Sequence, residues 1–395
     1  MAIGRVPPGS QSSLREANRA RIVDTVKRLG AMTQVELADA TGLSTATVSI
    51  IVNELVAAGI VTTTQVTRSG RRAFQVTLSR GLGLVAGIHF STRALRVALA
   101  DPSGTIVARQ RLPLPPDHRH DTDMDRAAQL VSDMLESIGA PPGELLGAGL
   151  GICAPYNAET DMLSVPGLLR GWDEVRLAES MSRRLGKQVV VDNDANLAML
   201  GESRHGVARE ASSAVFVSIG YGIGAGIMAN GELLRGHDGT AGEIGHVRVS
   251  ENGELCRCGN RGCLEVMVNS TAIVHSLRHT VGNVTLRDVI TMARQGDIGC
   301  SRVISDAAHY VGAALSSLCN LINPELIVIG GELADAGAVL LAPLEAAIER
   351  NSLRNPLNPP QVQLSALGDD AAVHGAVAFA FDSISLPITA VEASA

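Results

Sequence analysis

The chain has 395 residues, of which 46% are hydrophobic and 18% charged, so it can bury a large core and divide into two or three domains. Residues 1–80 carry ten Lys or Arg and five Asp or Glu, whereas the whole chain has a formal net charge of −7, so a basic N-terminal segment precedes an acidic body. Aromatic residues make up only 2% of the chain, which argues against stacking of single-stranded nucleic acid, and no apolar run reaches the length of a membrane span.

The basic N-terminal segment is predicted to be a winged helix-turn-helix domain over residues 13–80, preceded by a flexible arm over residues 1–12. Apolar spacing predicts three helices, over residues 13–29, 34–40 and 45–59. Ser44 is a candidate cap for the third helix. Two β-rich runs follow, at 60–66 and 73–78, and the basic turn between them is typical of a wing.

In such a motif the second helix of the pair lies in the major groove of double-stranded DNA. Residues of the third helix that lie off its apolar stripe, together with the cap, are predicted to face operator DNA: Ser44, Thr45, Ala46, Thr47, Ser49 and Asn53. The wing arginines Arg68, Arg71 and Arg72 are predicted to contact phosphate or enter the minor groove. The alternative interpretation is a small helical protein-interaction module whose arginines form a solvated turn.

Beyond residue 80 the pattern changes to strands separated by glycine-rich turns. Two similar sets of three strands are predicted, over 84–90, 94–100 and 105–112, and over 215–219, 222–228 and 232–235. Two copies of one strand arrangement, each followed by helices, indicate a duplicated α/β body over residues 84–395. A cleft between its two lobes would be the preferred place for a ligand.

One segment of the body combines the spacing of metal ligands with two flanking carboxylates, in the order Glu243-Ile-Gly-His246 and Cys256-Arg-Cys258-Gly-Asn-Arg-Gly-Cys263-Leu-Glu265. Three thiolates and one imidazole suit a tetrahedral zinc ion and leave no open position, so the metal would be structural. The sequence therefore predicts a zinc knuckle over residues 246–263 with the ligands His246, Cys256, Cys258 and Cys263. The alternative is a set of ordinary buried thiols, or a disulfide pair with one cysteine left over.

The other three cysteines, Cys153, Cys300 and Cys319, each lie alone in an apolar run and are predicted to pack in the core. Six cysteines in a chain with no secretory leader at its start favour a reducing, cytoplasmic location.

Several motifs of the body occur in a fixed order, namely Asp192-Asn-Asp-Ala-Asn196, Ile219-Gly-Tyr-Gly-Ile-Gly-Ala-Gly-Ile227, Asn230-Gly231, Ala241-Gly-Glu-Ile-Gly-His246, the cysteine block, and Asn323-Pro-Glu-Leu-Ile-Val-Ile-Gly-Gly331. Together they resemble the signatures of the ROK family (repressors, open reading frames, kinases), and the head resembles the winged helix of that family's transcriptional regulators. The resemblance implies a two-lobed, actin-like ATPase fold of the sugar-kinase type, with one structural zinc ion per subunit and a sugar in the interlobe cleft.

Transferred to this chain, the sugar contacts of the family are Asn193, Asp194, Glu243, His246 and Glu265. Carboxylates and amides of this kind suit the fixed donors and acceptors of sugar hydroxyls. For Asp194 the alternative is an Asx turn at the end of a strand.

In the kinases of this family, the resemblance implies that Asp194 is the general base and that an Asp-x-Gly-Gly-Thr turn holds the ATP phosphates. Here that turn reads His89-Phe-Ser-Thr92, so its acid and both glycines are absent, and Tyr221 stands in the second phosphate loop. Phosphoryl transfer depends on positioning and charge neutralisation, so this degenerate loop predicts a protein that is not an enzyme.

The sequence thus predicts a sugar-responsive transcriptional regulator of carbohydrate metabolism genes, acting as a repressor, with no membrane association. It would bind operator DNA as a symmetric homodimer or homotetramer. The main alternative is an ATP-dependent sugar kinase with an accessory DNA-binding domain, and a further one is a sugar-binding scaffold that never meets DNA.

Overall fold

The structure is a computed structural model that describes residues 11–68, 71–115, 118–353 and 359–384. Most of the predicted flexible arm, residues 1–10, therefore lies outside the described residues. Its last two residues belong to the first helix, which begins at Gln11 and not at Ser13 as the apolar spacing predicted. Among the described residues no single helix has the length and apolar character to cross a membrane, and one strongly bent pair, Gln34–Thr41 with Thr45–Ala57, meets those two criteria together.

The N-terminal domain, called the head below, is a winged helix-turn-helix. Its elements are α1 (Gln11–Leu29), β1 (Met32–Thr33), α2 (Gln34–Thr41), α3 (Thr45–Ala57), β2 (Val61–Arg68) and β3 (Arg71–Leu78). Thr33 and Glu36 form a capping box at the start of α2, which ends at Gly42 in the left-handed conformation (φ 68°). Ser44 caps α3, because its hydroxyl accepts a hydrogen bond from the Thr47 backbone N–H at 3.1 Å.

The first lobe of the body contains the first predicted set of strands. Its elements are β4 (Leu84–Phe90), β5 (Ala94–Ala100), β6 (Ile106–Pro113), α4 (His120–Ser137), β7 (Leu145–Ile152), β8 (Tyr156–Asn157), β9 (Met162–Leu163), α5 (Leu177–Leu185), β10 (Val189–Asn193) and α6 (Asp194–His205). The strand order of the main sheet is β10-β7-β4-β5-β6, with β4, β7 and β10 parallel and β5 antiparallel to both of its neighbours.

The second lobe repeats this arrangement. Its elements are β11 (Ala214–Ile219), β12 (Ile223–Ala229), β13 (Glu232–Leu233), α7 (Leu264–Val268), α8 (Ser270–Ser276), α9 (Leu286–Arg294), α10 (Ile298–Ile322), β14 (Leu326–Gly330), α11 (Ala338–Asn351), β15 (Gln361–Leu364) and α12 (Ala371–Ser383). The strand order is β13-β12-β11-β14-β15, again an antiparallel meander followed by parallel strands. The predicted duplication is therefore confirmed, with β13 two residues shorter than expected.

Helices α6 and α12 pack against each other along the join between the lobes. Two glycines make this crossing close: a Cβ on Gly375 would lie 1.7 Å from the Leu197 carbonyl oxygen, and one on Gly201 would lie 2.3 Å from the Ala371 carbonyl oxygen. Only glycine lets the two backbones approach this far.

The head contacts the body through both ends of the described chain. Near the end of α1, Lys27 Nζ donates a hydrogen bond to the Ile384 carbonyl oxygen, just after α12, at 2.5 Å. Beside it, Arg204 at the end of α6 donates to Asp382 at 2.7 Å. Burial lowers the pKa of Lys27 and raises the pKa of Asp382. Leu146 of the first lobe packs against the core of the head as well.

Candidate functional site

A cleft of about 940 Å³ lies between the two lobes. All five residues that were predicted to contact a sugar line it: Asn193, Asp194, Glu243, His246 and Glu265. They come from both lobes, because Asn193 and Asp194 join β10 to α6, whereas the other three lie around the metal-ligand segment of the second lobe. The chain therefore brings together the set that the sequence motifs indicated.

Asn193 is held in place as the N-cap of α6. Its Oδ1 accepts hydrogen bonds from the backbone N–H groups of Ala195 (2.8 Å) and Asn196 (3.3 Å), and its Nδ2 donates to the Ala154 carbonyl at 3.2 Å. Among the described residues, the hydrogen bonds to the backbone that follows β10 are thus accepted by Asn193, whereas the alternative for Asp194 was an Asx turn at this strand end. Asp194 opens the helix, and its carboxylate is partly exposed to the cleft.

Asp194 contacts His89 of β4, the first residue of the turn that was expected from the sequence to be a degenerate phosphate loop. His89 Nε2 lies 3.2 Å from Asp194 Oδ2, at the cleft end of β4. The other ring nitrogen, Nδ1, is buried and has no hydrogen-bond partner among the described residues. A proton on Nε2 would be donated to the carboxylate, so the imidazole occupies one oxygen of Asp194.

The carboxylates on the second-lobe side of the cleft have different surroundings. Burial raises the pKa of Glu243 to about 7, and the nearby charges of Asp194 and Glu265 add to this shift. His246 faces two ways, because its Nδ1 lies 3.5 Å from Cys256 Sγ and its Nε2 lies 3.9 Å from Glu243 Oε2. One ring nitrogen is thus directed at the sulfurs and the other at the cleft.

The four predicted metal ligands form one cluster, in which the ligand atoms of His246, Cys256, Cys258 and Cys263 all lie within 4.8 Å of one another. Cys258 Sγ and Cys263 Sγ are 3.7 Å apart, close to the roughly 3.8 Å that follows from tetrahedral geometry with Zn–S bonds of about 2.3 Å. All six cysteines are free thiols, which removes the disulfide alternative in this structure. Gly262 (φ 65°) permits the turn, since a Cβ there would lie 1.8 Å from the Ser250 carbonyl oxygen. The donor set fits a metal ion.

Arg257 was not singled out by the sequence reasoning, yet it enters the cleft from the middle of the cysteine cluster. Its Nε lies 3.0 Å from Glu265 Oε1, and its Nη2 donates to Glu265 Oε2 at 3.0 Å. Its Nη1 donates to the Leu168 carbonyl oxygen in the first lobe at 3.1 Å. The only signal in the sequence was its position between two metal-ligand cysteines.

The β4–β5 and β11–β12 turns contact each other through large side chains. The guanidinium carbon of Arg93, in the β4–β5 turn, lies 5.1 Å from the centre of the Tyr221 ring, in the β11–β12 turn. This is a cation–π arrangement across the cleft. Cys153 also lines the cleft, which corrects the expectation that it packs in the core, whereas Cys300 and Cys319 are buried as predicted.

The exposed face of α3 contains the residues that were predicted to face DNA. Ser44, Thr45, Ala46 and Asn53 are exposed, Thr47 and Ser49 are half-buried, and Arg72 of the wing is exposed. The side chains of Arg68 and Arg71 lie outside the described part of the chain. Ile50, which is 58% exposed on the same face, was missed because it is apolar. Val56, predicted in the buried stripe, is 40% exposed.

Comparison with known proteins agrees with this architecture. The description of the ROK family matches residues 85–383, and that of the MarR family matches residues 16–72. The xylose repressor of Bacillus subtilis is 27% identical over 377 residues, covering 94% of this chain and 97% of the relative. A glucokinase of Halalkalibacterium halodurans is 32% identical over 306 residues, covering 73% of this chain and 92% of the relative.

The solved structures that superpose on this chain also include both a regulator and a kinase. A ROK family transcriptional regulator described as a homologue of the E. coli MLC protein superposes with a TM-score of 0.75 at 24% identity, over 93% of this chain and 96% of that chain, and this likeness concerns the fold alone. A ROK family glucokinase from Streptomyces griseus, solved with glucose and AMPPNP, superposes with a TM-score of 0.68 at 26% identity, over 75% of this chain and 99% of that chain. With a family match that covers most of its length, the chain belongs to the ROK family.

Proposed function

We propose that this protein is a sugar-responsive transcriptional repressor that binds operator DNA through α3 and the wing, and a sugar or sugar derivative in the interlobe cleft. The observation that carries the proposal is the presence, in one chain, of a winged helix-turn-helix and of a cleft lined by five polar residues of the kind that bind sugars. Relatives that match over most of their length are named xylose repressor and N-acetylglucosamine repressor, which supports the same function.

We further propose that the cleft has lost kinase chemistry. In the kinases the first phosphate turn supplies an acid and two glycines, whereas here His89 contacts Asp194 and side chains stand where the backbone would approach phosphate. The contact between Arg93 and Tyr221 occupies the space between the two phosphate loops. Sugar binding does not need these loops, so it survives their loss.

The glucokinase relative keeps one alternative open, an ATP-dependent sugar kinase with an accessory DNA-binding domain. ATP turnover with magnesium, measured over a panel of D-glucose, D-xylose and N-acetyl-D-glucosamine, tests it. We expect no turnover above the background of a protein-free reaction. Turnover with any of these sugars at a rate typical of sugar kinases would reject our view of the cleft.

The ligands His246, Cys256, Cys258 and Cys263 are proposed to hold one structural zinc ion per subunit. When bound, the ion would fix the loop that presents Glu243, His246 and Glu265 to the cleft. The orientation of His246, with Nδ1 toward the sulfurs and Nε2 toward Glu243, suits this role, because a metal on one nitrogen sets the donor or acceptor character of the other.

Regulation follows from linkage between the two binding sites. A sugar that binds one arrangement of the lobes more tightly shifts the population toward it, and the DNA affinity of the attached heads must change reciprocally. Couplings of this kind are usually about 1–3 kcal/mol, which corresponds to roughly a 5- to 150-fold change in operator affinity. We propose a symmetric homodimer or homotetramer, because half-sites on DNA are read in pairs.

The direct test measures the affinity of the purified protein for operator DNA, taken from the region upstream of its own gene, with and without each sugar of the panel. We expect one sugar to weaken DNA binding at least fivefold. Asp194→Ala should bind the same DNA normally and give no response, whereas Asp133→Ala, on the outer surface of α4, should respond like the wild type. A full response of Asp194→Ala would show that the sugar does not bind in this cleft.

A further inference from the structure

Arg257 occupies an unusual position, because its backbone belongs to the metal-ligand segment while its side chain belongs to the cleft. Its neighbours on both sides, Cys256 and Cys258, are two of the four candidate ligands. A metal ion bound by these sulfurs would fix the backbone before and after Arg257. The direction in which the guanidinium leaves the knuckle would then be set by metal coordination.

The guanidinium joins two elements of the second lobe to the first lobe. Both carboxylate oxygens of Glu265 pair with it, in the two-pronged geometry that only arginine offers. Glu265 Oε2 also accepts a hydrogen bond from the Ile223 backbone N–H at 3.3 Å, at the start of β12. The remaining contact reaches across the cleft to the Leu168 carbonyl, in the first-lobe loop between β9 and α5.

The ion pair between Arg257 and Glu265 depends on both partners, because its carboxylate is buried. The side chain of Glu265 is only 7% exposed, and both of its oxygens pair with the guanidinium, so the arginine is its main polar partner on this side of the cleft. Removing the arginine leaves the buried carboxylate without these two hydrogen bonds, and we expect the Glu265 side chain to turn away from its present orientation. Replacement of the arginine by lysine keeps a charge but loses the rigid fork.

We propose that Arg257 is a positioning residue that transmits metal occupancy to the sugar cleft and to the opposite lobe. With metal on the flanking cysteines, its guanidinium holds Glu265 in the orientation that faces the cleft and holds the Leu168 loop against the second lobe. Loss of the metal releases both together. The sugar-binding part of this statement rests on the proposed function, whereas the link from the knuckle to the Leu168 loop does not.

Hydrogen exchange followed by mass spectrometry on the full-length protein tests the link without DNA or sugar. In Arg257→Ala we expect exchange of the peptide that contains Leu168 to become at least fivefold faster, while elemental analysis still gives one equivalent of metal. Arg257→Lys should recover only part of the protection. Arg261→Ala is the matched control, because Arg261 lies in the same knuckle with an exposed side chain, and it should match the wild type.

Removal of the metal from the wild type by a chelator should accelerate exchange in the same Leu168 peptide. Unchanged exchange there in metal-loaded Arg257→Ala would overturn the proposal, and so would loss of metal from this variant, which would make Arg257 a part of the knuckle only.

A double-mutant cycle with Glu265→Gln separates positioning from general destabilisation. We expect the exchange rate of the Leu168 peptide in the double variant to lie within twofold of that in Arg257→Ala, because both changes disrupt one unit. Multiplied effects would show that Arg257 and Glu265 act separately and would contradict the proposal. Calorimetry with D-xylose, D-glucose and N-acetyl-D-glucosamine then examines the proposed function: if none binds the wild type, that function fails while the exchange results still decide the role of Arg257.

Discussion

His246 offers its two ring nitrogens to two different neighbours, the sulfur of Cys256 and the carboxylate of Glu243. Replacing the sulfur of Cys256 should therefore also affect His246 and Glu243 in the cleft. We expect Cys256→Ser to lose its metal and its DNA response to sugar together, because the serine oxygen is a poor substitute for a thiolate ligand.

Metal content by elemental analysis and DNA affinity with and without sugar are the two measurements for Cys256→Ser. Cys319→Ser, in α10 and outside the cluster, should keep both properties. If Cys256→Ser lacks metal and sugar still changes its DNA affinity as in the wild type, the metal site does not control the cleft.

Cys153 gives a prediction about pH. Its thiol lines the cleft, and burial, supported by the charge of Asp194, raises its pKa to about 12. The thiolate is the nucleophile, so alkylation by iodoacetamide should be slow at pH 8 and should still be accelerating at pH 10. Peptide mass spectrometry at Cys153 measures this, with the urea-unfolded protein as the control that titrates near pH 8.5. Rapid alkylation of the folded protein at neutral pH would contradict the assigned burial.

Helix α3 and the wing carry the DNA-binding predictions. Arg72 is exposed on β3, next to the tip of the wing. We expect Arg72→Ala to weaken binding to all duplexes alike and to reduce the slope of log affinity against log salt by about 1, because one phosphate contact is lost. Arg170→Ala, on the exposed surface of the first lobe, should leave the slope unchanged. An unchanged slope in Arg72→Ala would place the wing away from phosphate.

The crossing of α6 and α12 gives a prediction about stability. A methyl group at Gly375 would overlap the Leu197 carbonyl, and overpacking of this kind usually costs about 1–3 kcal/mol. In urea unfolding, the free energy of unfolding of Gly375→Ala should be lower than that of the wild type by this amount. Gly143→Ala is the control, because no heavy atom lies within 4 Å of the added Cβ. Wild-type stability in Gly375→Ala would mean that the helices separate at little cost.

Helix α6 also connects the cleft to the head. It starts at Asp194, and its end lies roughly 18 Å away at a rise of 1.5 Å per residue, where Arg204 pairs with Asp382. Lys27 of the head donates to the Ile384 carbonyl at the same place. A shift of α6 caused by sugar would thus pass through the end of α12, at Asp382 and Ile384, to the DNA-binding domain.

For the whole molecule we expect Lys27→Met to separate the two activities. The methionine keeps an apolar stem but removes the hydrogen bond to Ile384. DNA affinity and sugar affinity should each stay within about twofold of the wild type, whereas sugar should no longer change the DNA affinity. Both affinities, measured by fluorescence anisotropy and calorimetry, decide this. Lys187→Met changes a half-buried lysine of the first lobe and should preserve the response. An undiminished response in Lys27→Met would place the coupling elsewhere.

Features that depend on residues close together in the sequence were predictable, whereas contacts between distant residues were not. The Ser44 cap and the first three strands of each lobe were predictable, because they depend on local periodicity and on backbone preferences. The metal cluster was predictable because most of its ligands are close in sequence. The Arg257–Leu168 contact was not, since it joins residues 89 positions apart, and Ile50 was missed because an apolar side chain at an exposed helical position looks like part of the core.

The contact between Lys27 and the carbonyl of Ile384 joins positions 357 residues apart, and it limits how this protein can be re-engineered. A hybrid regulator made by grafting a foreign winged helix onto residues 84–384 would recognise the new operator. Its DNA affinity would no longer respond to sugar unless the graft supplied a hydrogen-bond donor at the position of Lys27. A reporter attached directly after residue 384 would lie next to the contact between Lys27 and Ile384. It could disturb the link between the head and the body on which such a biosensor depends.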